Sequence, residues 1–286
     1  MITVRVPAST TNLGPGFDCL GMALELYNTV EMFPFPGKLY IEVQGEGANE
    51  IPRNRSNLVY IAACRVFEKT GYPEQGLRIR IANKIPVTRG LGSSASAIVG
   101  GLVGANIISG NKLSIKELLN IAAELEGHPD NVAAALLGGL VITTREDDEI
   151  KYIKIDPPKD LHCIVAVPDF ALSTRVAREI LPQQVTLQDA VFNLSRTASL
   201  VAAMIKGDLS SLGYAMDDKL HQSFRSSLIP GMKKVFAAAK LAGARGVCLS
   251  GAGPSVIAFA DENFSLIARV MRETFWLNDM IAKVLI

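Results

Sequence analysis

Along the first half of the chain, apolar positions switch repeatedly between a two-residue and a 3.6-residue period. Alternation over residues 2–7, 24–33 and 39–44 predicts strands, the third closed by the turn-forming Gly45-Glu46-Gly47-Ala48-Asn49. Val59, Ala62, Ala63, Val66 and Phe67 recur at helical spacing, predicting a helix over 57–69 with Ser56 as its cap and Gly71 as its stop. A strand over 77–81 follows. After Pro86 a Gly- and Ser-rich turn leads into a helix of small residues over 95–108. Ser114 and Glu117 form an S-x-x-E capping box that opens another helix, and Gly127-His128-Pro129 ends it. Residues 140–144 read as a strand and the charged run 145–149 as a hairpin tip.

Asp156-Pro157-Pro158-Lys159 reads as a linker, dividing the chain into domains 1–157 and 158–286. Beyond it come a strand (161–167), helices over 174–181, 187–206 and 233–242, and a strand (246–250). A tight Gly251-Ala252-Gly253-Pro254 turn, a strand (256–260), a helix (264–275) and a strand (280–286) complete the pattern. Stripped of extra helices this is βαββαβ, a ferredoxin-like order. The expected fold class is α+β in two domains.

Composition narrows the role. The 286 residues are 49% hydrophobic and 20% charged, enough for a substantial core and unlike a disordered chain. A net charge of +1 supplies no broad field for phosphate backbones, which argues against nucleic acid as a partner. No apolar run approaches the ~20 residues of a membrane span, and the opening residues lack the basic head of a signal peptide. Cys19, Cys64, Cys163 and Cys248 are too scattered for a disulfide framework or zinc knuckle, so reduced thiols and a cytoplasmic setting are expected.

Three Gly-rich segments hold the candidate chemistry. Pro86-Val87-Thr88-Arg89-Gly90-Leu91-Gly92-Ser93-Ser94-Ala95-Ser96 precedes a helix whose N-terminal N–H groups suit an anion such as a polyphosphate. It lacks the lysine of a P-loop and the third glycine of G-x-G-x-x-G. An ordinary close-packed turn explains it equally well. Segment 7–18 places Asn12 and Asp18 in a Gly/Pro loop after a strand, as turn formers or as polar groups facing a substrate. Residues 249–255 form either a hairpin turn or a backbone open to a ligand. Gly127-His128-Pro129-Asp130-Asn131 is polar between apolar helices, with Asp130 read as a helix cap. Arg175, Arg178 and Arg225, taken singly, are surface charges, yet each could clamp a carboxylate.

Taken in order, these segments resemble the GHMP kinases, the superfamily of galactokinase, homoserine kinase, mevalonate kinase and phosphomevalonate kinase. Gly90-Leu91-Gly92-Ser93-Ser94-Ala95 looks like the central ATP loop and Ser250-Gly251-Ala252-Gly253-Pro254-Ser255 like the C-terminal motif. Within the superfamily the homoserine kinases are most similar, on residues 7–18, His128-Pro129-Asp130-Asn131-Val132-Ala133, Ser173-Thr174, Ala177-Arg178, Leu181-Pro182, His221, Arg225 and Ile229-Pro230-Gly231.

The resemblance implies a ribosomal protein S5 domain 2-like N-terminal domain, a ferredoxin-like C-terminal domain and a homodimer. It implies transfer of the γ-phosphate of ATP to the hydroxyl of L-homoserine, on the route to threonine. Residues 86–96 would take the triphosphate, Asn57 would lie near the adenosine, and Ser94 and Glu126 would hold Mg²⁺. Asn12, Asp18, His128, Asp130, Thr174, Arg178, Arg225 and Gly251 would surround homoserine. A zwitterion needs a cation for its carboxylate and carboxylates for its ammonium, which those residues supply in kind; which group holds which end stays open. Asn131 looks like the position where mevalonate kinase carries an Asp base. Catalysis would then rest on positioning and charge, or on Asp130 as proton acceptor. A mevalonate-type substrate, or a silent binding protein on the same fold, are the competing readings.

Overall fold

Period-two alternation in the first half is realised as a pleated sheet in a computed structural model that describes residues 1–73 and 76–286. Strands β1 (Ile2–Asn12), β2 (Gly16–Pro34), β3 (Leu39–Gly45), β4 (Leu77–Asn83), β5 (Leu140–Glu146) and β6 (Glu149–Ile155) form it in the order β3-β4-β2-β5-β6, with β1 paired to β2. Register follows chemistry. Ile79 of β4 aligns with Met32 of antiparallel β2 and with Ile41 of parallel β3, all buried. One residue along, on the opposite face, Arg80 aligns with Glu31 and Glu42 and pairs with both.

Helices α1 (Leu58–Thr70), α2 (Ser93–Ile108), α3 (Ile115–Glu126) and α4 (Pro129–Leu137) share the sheet's core: Val59, Val66, Ile98, Leu102 and Leu119 pack in one cluster with Val30, Met32, Ile79 and Ile81. Gly101 lets α2 approach α1 closely, since a Cβ there would strike the Val59 carbonyl. The Ser114–Glu117 capping box forms as expected, with Gly127 as the left-handed stop of α3. Two caps differ from expectation. Asn57, not Ser56, caps α1, because its amide oxygen reaches the Val59 N–H. His128 is the N-cap residue of α4, and Pro129 opens the helix, so Asp130 falls inside the first turn.

The second sheet contains β7 (His162–Pro168), β8 (Gly246–Leu249), β9 (Val256–Ala260) and β10 (Ala282–Leu285) in the antiparallel order β10-β7-β9-β8. That is the ferredoxin-like arrangement. Between β7 and β8 lie α5 (Thr174–Glu179), α6 (Leu187–Lys206), the short α7 (Leu212–Ala215) and α8 (Gln222–Arg225), and α9 (Met232–Leu241); α10 (Phe264–Trp276) precedes β10. Helical periodicity could not expose α7 and α8, which are only four residues long.

By its contacts the chain divides into two compact units. One contains residues 1–9, 21–87 and 92–154; the other contains 10–20, 88–91 and 155–286. Segment 7–18, read as a loop, is a hairpin: β1 continues to Asn12, a turn follows, and β2 begins at Gly16. Alternation is lost there because both faces are covered. Residues 8–16 are all buried.

Candidate active site

The candidate residues form one group in each unit. In the first unit, Gly92 precedes α2 with a φ of 68° and offers no side-chain cap. The first intrahelical bond runs from Ser96 N–H to the Gly92 carbonyl at 2.9 Å, so the N–H groups of Ser93, Ser94 and Ala95 have no intrahelical acceptor. No acidic side chain lies in this first turn to compete for them. A Cβ on Gly92 would collide with Ser9 Oγ and press on Asn131 Oδ1, 3.0 Å away. Glycine is therefore required by space as well as by φ.

Asn28 of β2 holds the start and end of this loop. Its Oδ1 accepts from Lys84 N–H (2.7 Å) and Ile85 N–H (3.1 Å), and its Nδ2 donates to Ser96 Oγ (2.8 Å). Sequence reasoning missed it, because a lone asparagine in a strand carries no motif. The Leu91 side chain is buried. The side chain of Asn57 is consumed structurally, donating to the Pro52 carbonyl (2.6 Å) and capping α1.

Ser94 Oγ donates to Glu126 Oε1 at 2.6 Å. Desolvation pushes the Glu126 carboxyl above its ordinary pKa, against the lowering effect of that hydrogen bond. A carboxylate kept short of solvent beside a hydroxyl is a hard, all-oxygen donor pair. Among the described residues no group of three or more His, Cys, Asp or Glu could hold a metal ion. Two oxygen donors fit Mg²⁺ that shares its remaining positions with phosphates and water. Nearby in sequence, His128 Nδ1 donates to Asp130 Oδ1 (2.7 Å), which also accepts from Asn131 N–H (2.8 Å). Asn131 Oδ1 accepts from the Ser9 hydroxyl (2.8 Å). His128, Asp130 and Asn131 are thus locked by one another and by Ser9.

The second unit contains Asn12, Asp18, Thr174, Arg178, Arg225 and Gly251. Asn12 bridges two of them: its Nδ2 donates to the Gly251 carbonyl (3.0 Å) and its Oδ1 accepts from Asp18 N–H (3.1 Å). Arg178 grips Asp18 in a bidentate pair, Nη1 to Oδ2 at 2.8 Å and Nη2 to Oδ1 at 2.6 Å, with both side chains 36% exposed. The Phe17 ring lies 5.4 Å from the Arg178 guanidinium carbon and 5.3 Å from that of Arg225, and stacks on His221 at 5.3 Å. Thr174 is exposed at the start of α5.

Arg225 is no surface charge. It is 1% exposed and donates to the Ala177 carbonyl (3.0 Å) and the Gly251 carbonyl (3.2 Å). Its Nη1 also lies 3.2 Å from His221 Nδ1. Because an arginine only donates, Nδ1 of His221 must be the acceptor, so Nε2 carries the proton and donates to the Gly14 carbonyl (2.7 Å). Burial holds the His221 pKa below the usual imidazole value, in keeping with this neutral tautomer.

Three residues the sequence reading passed over complete the clamp on the β1–β2 turn. Asn193 and Thr197 both donate to the Pro15 carbonyl at 3.1 Å. Asp218 accepts from Asn193 Nδ2 and from the N–H groups of Leu220, His221 and Gln222. Polar residues are common on helices and in the turns between them, and only their convergence on one turn marks these.

In the same unit, Thr88 and Gly90 adopt φ values of 55° and 74°, and a Cβ on Gly90 would strike the Ser250 carbonyl. Ser250 Oγ reaches Thr10 Oγ1 (2.9 Å) and the Gly90 carbonyl (2.7 Å), while Arg89 Nε donates to the Pro168 carbonyl (3.0 Å).

Residues 57–139 match the GHMP kinases N terminal domain and residues 200–275 the GHMP kinases C terminal domain. The chain is 49% identical to a homoserine kinase of Carboxydothermus hydrogenoformans over 96% of this chain and 90% of that protein. It is 53% identical to one of Moorella thermoacetica over 91% and 87%. The crystal structure of homoserine kinase from Cytophaga hutchinsonii superposes with a TM-score of 0.89 at 34% identity, covering 99% and 93% of the two chains. L. major mevalonate kinase, 18% identical with a TM-score of 0.73 over 100% and 96%, shares the fold alone. By end-to-end likeness in sequence and architecture, the chain belongs to the homoserine kinases of the GHMP kinase superfamily.

Proposed function

We propose that this protein transfers the γ-phosphate of ATP to the side-chain hydroxyl of L-homoserine, forming O-phospho-L-homoserine in threonine biosynthesis. The observation that carries the reading is identity of 49% over 96% of the chain to a protein named homoserine kinase. The two groups of residues divide the work by chemistry. The N–H groups at the start of α2, which have no acceptor in their own helix, suit the phosphates of ATP together with the preceding residues 86–92. Ser94 and Glu126 would hold Mg²⁺, which neutralises phosphate oxygens when bound.

Asp18 supplies the carboxylate for the amino acid's ammonium. Arg178, from a half-buried position, and Arg225, from a buried one, supply positive charge for its carboxylate. Asp18 and Arg178 pair with each other, so a zwitterion binding both would replace one charge-assisted pair with two. The Asn131 amide cannot take up a proton and is held by the Ser9 hydroxyl. Transfer therefore rests on alignment and charge, which a loose phosphoryl transition state requires most. The protein is proposed to act as a homodimer, as the resemblance implies, and in the cytoplasm.

Phosphorus-31 spectra of protein, ATP, Mg²⁺ and L-homoserine test the reading. A phosphohomoserine signal is expected, and its absence would mean a silent relative. A coupled ADP-release assay across homoserine, threonine, serine and mevalonate should be fastest with homoserine; fastest turnover of mevalonate overturns the assignment. In Asp130→Asn, kcat should fall by less than about 10-fold. A loss of about 1,000-fold would instead identify Asp130 as a general base.

A further inference from the structure

Helix α6 buries one face within its own unit through Asn193, Leu200, Ala203 and Met204. Its other face is apolar and open. Leu187 is 81% exposed, Leu194 70%, Ile205 63% and Val191 54%. Ala198 is exposed and Val201 half-buried in the same row. Residues 187, 191, 194, 198, 201 and 205 alternate steps of four and three, the 3.5-residue repeat of a two-helix seam.

The spacing is also palindromic about position 196. An antiparallel second copy sets Leu187 against the partner's Ile205, Val191 against the partner's Val201, and Leu194 against the partner's Ala198, large opposite small at the centre. A two-fold contact demands such self-complementarity. Charge agrees with it. The helix carries only Asp189, Arg196 and Lys206. Arg196 lies off the seam, over the rings of Phe192 (4.6 Å) and Tyr214 (5.2 Å), so no like charges meet at the axis. Antiparallel packing brings the acidic first turn against the partner's basic last turn and opposes the helix dipoles. Parallel packing would align Asp189 with Asp189 and Lys206 with Lys206.

We propose that this face of α6 is the contact with a second copy of the same chain, two α6 helices packing antiparallel about a two-fold axis near residue 196. This deepens the homodimer reading and rests on it. The seam is about 27 Å long at 1.5 Å per residue. A specific interface needs at least about 1,000 Å² in all, so one helix from each copy makes a contact at the small end of that class.

Sedimentation velocity on the full chain tests the proposal, with circular dichroism to confirm folding. Wild type should be dimeric at tens of micromolar, and Leu194→Lys should raise the dissociation constant at least about 100-fold by burying an unpaired charge. The double variant Leu187→Cys with Ile205→Cys should form an intermolecular disulfide under mild oxidation that neither single variant forms. A dimer unchanged by Leu194→Lys refutes this surface while leaving the homodimer reading intact. A wild type that stays monomeric refutes both.

Discussion

The loop into α2 and the turn between β1 and β2 are both rich in glycine and small residues, yet they use their backbones in opposite ways. In the loop, the N–H groups of Ser93, Ser94 and Ala95 have no acceptor in their own helix, and no carboxylate occupies the first turn. At the turn, the carbonyls of Gly14 and Pro15 are taken by His221, Asn193 and Thr197. Only side chains of the adjoining strand, Phe17 and Asp18 among them, are left to meet solvent. The first segment offers backbone to an anion, and the second consumes backbone to aim side chains. An intruding Cβ should therefore damage the first, and a lost charge the second.

The sharpest way to break this contrast is Gly92→Ala. Its Cβ meets Ser9 Oγ and Asn131 Oδ1 at a φ of 68°. The displaced loop should lose about 100-fold in kcat, the scale of a 1 Å misplacement. Near-wild-type turnover would show that the loop's geometry is dispensable. Next comes Arg178→Ala, which should raise the homoserine KM about 30-fold, as expected for losing a charged hydrogen bond of about 2 kcal/mol. The KM for ATP should stay within about 2-fold. Equal damage to both constants would dissolve the division of labour.

Acid should expose the clamp on the turn. The folded chain holds the His221 pKa below the unfolded value of about 6.5. As pH falls below 6.5 the unfolded chain takes up the proton first, so the histidine's contribution is complete above that value. It is lost as pH drops toward the folded pKa, at no more than about 1.4 kcal/mol per pH unit. Urea midpoints between pH 7.5 and 5.5 should fall less steeply in His221→Gln than in wild type, and parallel slopes would dismiss the buried neutral imidazole. The smallest effect should come from Ser114→Ala, which removes a cap remote in sequence from both segments. It should cost about 1 kcal/mol of stability and change neither KM.

Local periodicity and stop signals were enough to place β3, β4, α3, α6 and α10 within a residue or two, since each alternates or repeats over its own length. They failed where both faces of a strand are covered, as in residues 8–16, and where helices are only four residues long. Ser56 and Asn57 are both good cap residues, and only the chain's path puts the Asn57 amide beside Val59 N–H.

By itself, the order of residues determined the α+β class, from neighbours within a dozen positions where period and composition act. It also carried the family, through the resemblance of motifs spread along the whole chain. Tertiary structure alone decided that Asp18 pairs with Arg178 across 160 residues, that Arg225 is buried, and that His221, Asn193 and Asp218 clamp a turn. It also decided that each compact unit is assembled from segments far apart in the chain. Burial and hydrogen bonding between distant segments set these outcomes, and neither leaves a local pattern to read.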